Sequence, residues 1–453
     1  MFVINTKSVV SFVSAFGFMA STFLTGCAPV ETTSEFDQAS GSLSHVDCLN
    51  CDDAEKTKKT KHAEIDDLSF VDNNSGKAAS KEDLNINPIT TPVDLWDETS
   101  QEDPATGPIE NQEPAAETTD TDIMGFPNPW PRTVFTPYVD ASTTGAIRLA
   151  DVAHETGVFH YTLGFVVADN ADHCRAIWPG SKIEVGPAAS DQYGEYTLYD
   201  EVKILRSHFG GDVAIAFGGP YGDHLASACT DVKDLVSEYK RVIETLNVTR
   251  VEFAIEGGYA FDTGATKRRA QAIAEIQSQY KAEGRELHVW FSLPVQTYGF
   301  TAVSLDILHH ALKHGVHLNG VNGYTMNYRP SVAPNPKGQM GIFGVKALYK
   351  MRDQLALLLE DFQIHVSDSE LWGMLGIIPL IGENDVPGQT FNLSDAKVTL
   401  EHLDSIPVGR LSMWSVSRDT PCSGLMLSSS VCSGSSDQVN THDFMRILKT
   451  FMN

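Results

Sequence analysis

Two glutamates on one short segment are the residues best placed to do chemistry. Val251–Gly258 reads Val-Glu-Phe-Ala-Ile-Glu-Gly-Gly, an alternation typical of a β-strand. Successive strand residues point to opposite faces, so Glu252 and Glu256 share a face with Ala254. Partial burial and a like-charged neighbour both raise the pKa of a carboxyl group towards neutral pH. Glu256, nearer the end of the segment, is therefore the predicted proton donor, although a salt-bridged structural acid is the alternative interpretation.

The elements that would position these acids recur along residues 125–453. Eight segments rich in Val, Ile, Phe and Tyr alternate with amphipathic stretches. The predicted strands are Val134–Ala141, Phe159–Ala168, Asp212–Gly219, Thr249–Gly257, Leu287–Val295, Gly320–Tyr328, Leu371–Gly382 and Arg410–Ser417. Predicted helices between them include Asp231–Leu246, Thr266–Tyr280, Ala302–His314 and Val345–Phe362.

This alternation predicts the α/β class and a (β/α)8, or TIM, barrel. An open doubly wound sheet is the alternative, and the lack of a Gly-x-Gly-x-x-Gly turn after the first strand disfavours it. Chemistry in such a barrel lies at the carboxyl ends of the strands, where Glu256 falls. Glu252 lies deeper. It either supports Glu256 through a shared proton or occupies the barrel interior together with water.

Motifs along nearly all of residues 132–450 resemble, in order, those of the glycoside hydrolase family 18 chitinases, in particular a group of secreted bacterial ones. Glu252-Phe-Ala-Ile-Glu-Gly257 is similar to the family's Asp-Phe-Asp-Ile-Glu-Gly. Further similar segments are Phe135–Asp140, Tyr161–Phe165, Ala216–Gly219, Cys229–Asp231, Arg268–Ile273, Ser292–Val295, Pro379–Asp385 and Trp414–Asp419.

The resemblance implies a mechanism and a set of site residues. The family's glutamate protonates the glycosidic oxygen, while the substrate's own 2-acetamido oxygen attacks the anomeric carbon. Glu256 and Glu252 are thus the predicted catalytic residues, and the implied substrate is chitin or another N-acetylglucosamine glycan. The predicted substrate-binding residues are Tyr138, Asp140, Phe217, Gln296, Asn327, Tyr328 and Trp414, of which Trp414 matches the aromatic floor under the sugar.

The chain departs from the family pattern at several polar positions. Ala254 replaces the aspartate that orients the acetamido group, Ala216 replaces a serine, and Asn327 replaces an aspartate. Losing such a group costs about 10²–10³ in rate. Two functions therefore stay open: a chitinase-type hydrolase, or a glycan-binding protein that kept the groove without turnover. In a third, Glu252 or Asn327 has taken over the orienting role.

The N-terminal residues predict export and lipidation. Lys7 precedes the apolar run Val9–Phe23, and Leu24-Thr-Gly-Cys27 looks like a bacterial lipobox. Residues 1–26 are therefore a predicted signal peptide and Cys27 a lipid anchor, with a plain signal peptide as the alternative. Ala28, being other than Asp, favours the outer membrane or cell surface.

Residues 27–124 are predicted to be a disordered tether. Acidic residues far outnumber basic ones there and aromatics are few, so little apolar surface can be buried. This segment carries most of the net charge of −26. The charge is expected to keep the protein soluble and the tether extended. Nothing basic suggests a nucleic-acid partner.

Six cysteines beyond Cys27 make an even set for an oxidising compartment. We pair Cys174 with Cys229 and Cys422 with Cys432, and interpret Cys48 and Cys51 as a small structural loop. Four histidines lie on or just after a predicted exposed helix without accompanying acids, so they are interpreted as surface residues. They are His309, His310, His314 and His317, and neither a metal nor a cofactor is predicted.

Overall fold

The computed structural model describes residues 127–142, 147–179, 183–185, 198–423 and 428–452. All of them belong to one compact unit, Gly107–Asn453. The predicted signal peptide, Cys27, the tether and the Cys48–Cys51 loop lie outside the described residues. They remain predictions.

Fourteen strands and ten α-helices alternate along the described residues. The strands are β1 (Val134–Phe135), β2 (Tyr138–Asp140), β3 (His160–Asn170), β4 (His173–Trp178), β5 (Ile183–Glu184), β6 (Asp212–Gly218), β7 (Arg250–Ala254), β8 (His288–Gln296), β9 (Gly299–Phe300), β10 (Leu318–Tyr324), β11 (Leu375–Ile378), β12 (Gly382–Glu383), β13 (Thr390–Phe391) and β14 (Arg410–Leu411). The helices are α1 (Leu149–Thr156), α2 (Leu198–Phe209), α3 (Leu225–Ala228), α4 (Val232–Thr245), α5 (Thr263–Ala282), α6 (Ala302–Lys313), α7 (Met340–Asp361), α8 (Asp368–Gly373), α9 (Leu393–Leu403) and α10 (Asp443–Leu448).

The main sheet is a parallel barrel, as predicted. Its neighbours run β3, β6, β7, β8, β10, β11 and β14. β1 and β2 close the ring as two halves of the first barrel strand, because β1 pairs with β14 and β2 pairs with β3, both in parallel. Pro137 interrupts this strand since it has no N–H to donate, yet its carbonyl accepts a hydrogen bond from Thr162 at 3.1 Å.

Four predicted strands extend well beyond the observed ones. They are Thr249–Gly257, Gly320–Tyr328, Leu371–Gly382 and Arg410–Ser417. Leu371 belongs to α8, and β11 begins only at Leu375; α8 is set by a capping box between Ser367 and Glu370. β10 ends at Tyr324, so Tyr328 lies in the following loop. Apolar residues in both stretches are buried without being strand, which periodicity alone does not distinguish.

Apolar residues form two clusters that follow the alternation of the strands. The larger lies between barrel wall and helices and includes Val251, Phe253 and Ile255. The smaller lies inside the carboxyl end of the barrel; it comprises Tyr138, Phe165, Val167, Ile177, Ala216, Ala254, Tyr324 and Ile378, with Met326 and Trp414 against it. The predicted inward face of β7 is thus confirmed.

Trp130 covers the opposite, amino-terminal end of the barrel. Its indole N–H donates to Asp212 at 2.9 Å, and its ring packs on His160 with centroids 4.8 Å apart. The guanidiniums of Arg250 and Arg410 lie 4.9 Å and 5.8 Å from the ring centroid. These partners are the first residues of β3, β6, β7 and β14. A single residue, Trp130, which precedes the first strand, therefore joins four strands.

Candidate active site

A cavity of about 430 Å³ opens at the carboxyl ends of the barrel strands. Five of the predicted site residues line it, namely Tyr138, Asp140, Glu256, Asn327 and Trp414. It is also lined by side chains outside the predicted set, among them Phe165, Tyr221, Tyr324, Asp385 and Arg418. The position agrees with where barrel enzymes carry their chemistry.

Glu256 lies two residues beyond β7, at the start of a 3₁₀ turn, Gly257–Phe261. Gly257 has φ +57°, a conformation that glycine adopts at little cost, and this lets the chain leave the barrel directly after the acid. Burial raises the pKa of Glu256 to about 7, the Tyr324 hydroxyl lowers it, and the charge of Asp385 raises it. A carboxyl group with this pKa is partly protonated at neutral pH and can donate a proton.

Three aromatic rings form one wall of the cavity. Trp414 stacks on Phe165 with centroids 5.2 Å apart and planes 7° apart, and it lies 5.7 Å from the Tyr138 ring. The Phe165 ring needs a glycine beneath it, because a Cβ on Gly219 would come within 2.4 Å of it. Peptide bonds Gly164–Phe165 and Trp414–Ser415 are cis. Such a wall suits the apolar face of a sugar ring.

Asn327 and Asp385 form a reciprocal pair on the cavity rim. The Asn327 amide donates to the Asp385 carboxylate at 2.7 Å, and the Asp385 backbone N–H donates to the Asn327 side-chain oxygen at 2.9 Å. Asn327 has φ +51°, which asparagine tolerates better than most residues. The amide therefore fits a position where an aspartate would face a second carboxylate.

Glu252 lies below the cavity, fully buried, and does not line it. One carboxylate oxygen accepts hydrogen bonds from the hydroxyls of Tyr138 and Ser292 and from the Asn322 amide at 3.1 Å. The other accepts from Arg410 at 2.8 Å. Direct side-chain partners thus surround it, which differs from both predicted arrangements, a proton shared with Glu256 and a water-filled interior.

Tyr138 joins this lower layer to the cavity. Its ring lines the cavity, while its hydroxyl donates to Glu252. Burial and the negative charge of Glu252 raise the pKa of Tyr138 well above its usual value, so it remains a neutral donor.

Three predicted substrate-binding residues lie away from the cavity. Phe217 points to the helices and packs on Tyr239 and Phe253, because it shares the outward face of β6. Tyr328 is fully buried. Gln296, also buried, accepts a hydrogen bond from the Arg329 backbone at 3.0 Å.

Signals for some of the missed residues existed in the sequence. Phe165 is the last aromatic of a predicted strand. Tyr324 is two residues from Asn322 on the same face of β10, so alternation places both in the barrel. Asp385 and Arg418 come from loops, which no periodicity locates. Arg418 donates to the backbone carbonyls of Ile381, Glu383 and Ser429 and so ties neighbouring loops together.

Both predicted disulfides are present. Cys174 on β4 is bonded to Cys229, the residue that ends α3. Cys422 is bonded to Cys432, and Ser428–Ser430 between them line the cavity. The second disulfide therefore restrains a loop that borders the candidate site.

No group of three or more His, Cys, Asp or Glu is arranged to hold a metal ion within the described residues. None of the helices described for this chain combines the length and apolarity needed to cross a bilayer.

Comparison with known proteins finds chitinases among the relatives of this chain. No family model matches the chain. The chain is 33% identical over 326 residues to the probable bifunctional chitinase/lysozyme of Escherichia coli (strain K12), a match that covers 71% of this chain and 35% of that protein. The chain thus spans about a third of the length of this relative.

Solved structures extend the likeness to the fold. The catalytic domain of a hyperthermophilic chitinase from Pyrococcus furiosus is 30% identical with a TM-score of 0.60, covering 72% of this chain and 97% of that domain. Catalytic-site mutants of active domain 2 of the thermostable chitinase from the same organism, complexed with chito-oligosaccharides, are 29% identical with a TM-score of 0.60 over 72% of this chain and 96% of theirs. With the motifs along its barrel, this chain therefore belongs to the glycoside hydrolase family 18 chitinases.

Proposed function

We propose that this protein hydrolyses β-1,4-linked N-acetylglucosamine polymers, with Glu256 as the acid and then the base. The observation that carries the proposal is the position of Glu256 in the cavity with a pKa raised by burial to about 7. The protonated carboxyl would give its proton to the glycosidic oxygen as the bond to the anomeric carbon breaks. The carboxylate would then take a proton from the incoming water.

The nucleophile in this proposal is the substrate's own acetamido oxygen, as in the rest of the family. The aromatic wall of Trp414, Phe165 and Tyr138 supports placing a sugar beside Glu256. The relative solved with chito-oligosaccharides supports the class of ligand.

The direct test is hydrolysis of chitin oligomers by residues 125–453, with products identified by mass spectrometry. We expect release by the wild type and by a surface control, Glu360→Gln on α7, and loss of about 10³-fold or more in Glu256→Gln. No release above the Glu256→Gln background would contradict the proposal.

A glycan-binding protein without turnover is the second candidate, and Ala254 favours it. Ala254 and Ala216 are fully buried in the apolar cluster inside the barrel, and their methyl groups cannot hold an acetamido N–H. Calorimetry with chitin oligomers separates the candidates, since binding without products supports this one. Under the hydrolase proposal, Ala254→Asp should increase turnover.

We also propose that the protein is exported and anchored through a lipid on Cys27, with residues 27–124 as the tether. The Leu-x-Gly-Cys sequence after an apolar run supports this. Cys27→Ala should move the protein from the membrane fraction to the soluble fraction. An unchanged distribution would contradict the anchor.

A further inference from the structure

Tyr324 carries a hydroxyl group that the fold leaves without a regular partner. It is the last residue of β10, is 8% exposed and lines the cavity beside Glu256. Within the described residues its oxygen makes no hydrogen bond of standard geometry. Burying an unpaired hydroxyl costs about 1–3 kcal/mol, so its presence at a candidate active site requires a reason.

The ring of Tyr324 occupies a space bounded by small side chains. It packs in the same inner cluster as Ala216 at the end of β6 and Ala254 at the end of β7. Both alanines are fully buried.

Several charged or titratable groups share the cavity with Glu256. Asp385 from the loop after β12 acts on it by charge, whereas the Tyr324 hydroxyl acts on it as a hydrogen-bonding group. Asp140 at the end of β2 and Arg418 after β14 line the same cavity, as do the phenols Tyr138 and Tyr221. The Tyr138 hydroxyl is engaged by Glu252 and Arg418 by backbone carbonyls. Tyr221 is 80% exposed. Among these phenols, Tyr324 therefore combines burial with a hydroxyl that no other described residue engages.

We propose that Tyr324 is a positioning residue for Glu256, donating a hydrogen bond that holds the carboxylate towards the cavity in the space left open by Ala254 and Ala216. The role deepens the proposed function and rests on it, since it takes Glu256 to be the acid. When Glu256 gives its proton to the leaving oxygen, the phenol stabilises the new carboxylate and keeps its own proton. Burial and the charge of Glu256 raise the pKa of Tyr324 well above its usual value, consistent with a neutral donor.

The test is Tyr324→Phe, which removes the hydroxyl and retains the ring. The pKa of Glu256 is measured by ¹³C NMR titration, with Glu256→Gln identifying its signal. Because the hydrogen bond favours the carboxylate, we expect its loss to raise the pKa of Glu256 by about one unit, a tenfold change in proton affinity. Thermal unfolding should change little, because the variant keeps the buried ring and loses only the hydroxyl.

Tyr328→Phe is the matched control. Tyr328 is also buried with an unpaired hydroxyl among the described residues, but it does not line the cavity. This variant should leave the pKa of Glu256 unchanged. An unaltered Glu256 titration in Tyr324→Phe, or an equal shift in both variants, would overturn the proposal. The titration needs no turnover, so it is independent of the hydrolysis assay. If hydrolysis is observed, the upper limb of its pH profile should shift with the pKa while KM stays within twofold.

Discussion

Glu252 and Glu256 lie on the same face of one strand and its extension, yet their surroundings are opposite. Glu252 is fully buried and accepts hydrogen bonds on both oxygens, including one from Arg410. Glu256 borders a cavity, where the Tyr324 hydroxyl lowers its pKa and the charge of Asp385 raises it. The two glutamates thus differ in chemistry because their environments differ. The lower acid is committed to the fold and the upper one is left available for a reaction.

The residues on neighbouring strands explain the difference. Ser292 and Asn322 donate hydrogen bonds to Glu252, whereas Ala216 and Ala254 contribute only methyl groups to the apolar cluster inside the barrel. The barrel interior therefore has a polar, hydrogen-bonded group of side chains around Glu252 and an apolar group that includes Ala254. Substitutions that exchange the two environments test this distinction.

The largest effect is expected from Glu252→Gln. The change removes the negative charge facing Arg410 in a fully buried site, and breaking such a pair costs about 3–5 kcal/mol. Urea unfolding should show this loss, while the same substitution at Glu256 should not destabilise the protein. Equal losses in the two variants would mean that the two sites do not differ as described.

Trp414→Ala should weaken glycan binding by about 10- to 100-fold, because an aromatic surface stacked on Phe165 is removed from the cavity wall. Trp414→Phe retains part of that surface, so its affinity should lie between those of the wild type and Trp414→Ala. Isothermal titration with a chitin oligomer measures the change. Undiminished affinity in Trp414→Ala would place the sugar elsewhere.

A smaller effect concerns pH and stability. The folded-state pKa of Glu256 is about 7 against a usual 4.5, so the folded state holds a proton that the unfolded state releases, and stability falls as pH rises from about 4.5 to 7. Glu256→Gln lacks this penalty. It should exceed the wild type by on the order of 1–3 kcal/mol at pH 8 and match it near pH 4. Thermal unfolding across that range checks the trend; a constant difference would contradict it.

Asn327→Asp should have the smallest effect. A carboxylate there would face Asp385 across the present 2.7 Å hydrogen bond, costing about 0.5–1 kcal/mol at the exposed rim. The added charge should also raise the pKa of Glu256 slightly. Asn327→Ser is the neutral control. An equal change in the pKa of Glu256 in the two variants would exclude an effect of the added charge.

Alternation of apolar residues was enough to predict the eight barrel strands and the face on which Glu252, Ala254 and Glu256 lie. The same rule, applied to β6, would have placed Phe217 among the outward residues. The partners of Glu252 come from four other strands, and their convergence depends on how those strands are staggered. Loop residues such as Asp385 follow no period, so only coordinates bring them to the cavity.

Trp130 sets the N-terminal boundary that a recombinant form of this domain needs. It precedes the first barrel strand, yet it contacts the opening residues of four strands and shields two guanidiniums. A recombinant fragment that begins at Val134 would lack Trp130, which covers the amino-terminal end of the barrel. Solvent would then reach Arg250 and Arg410. Expression boundaries for this protein therefore belong upstream of the sheet that they are meant to isolate.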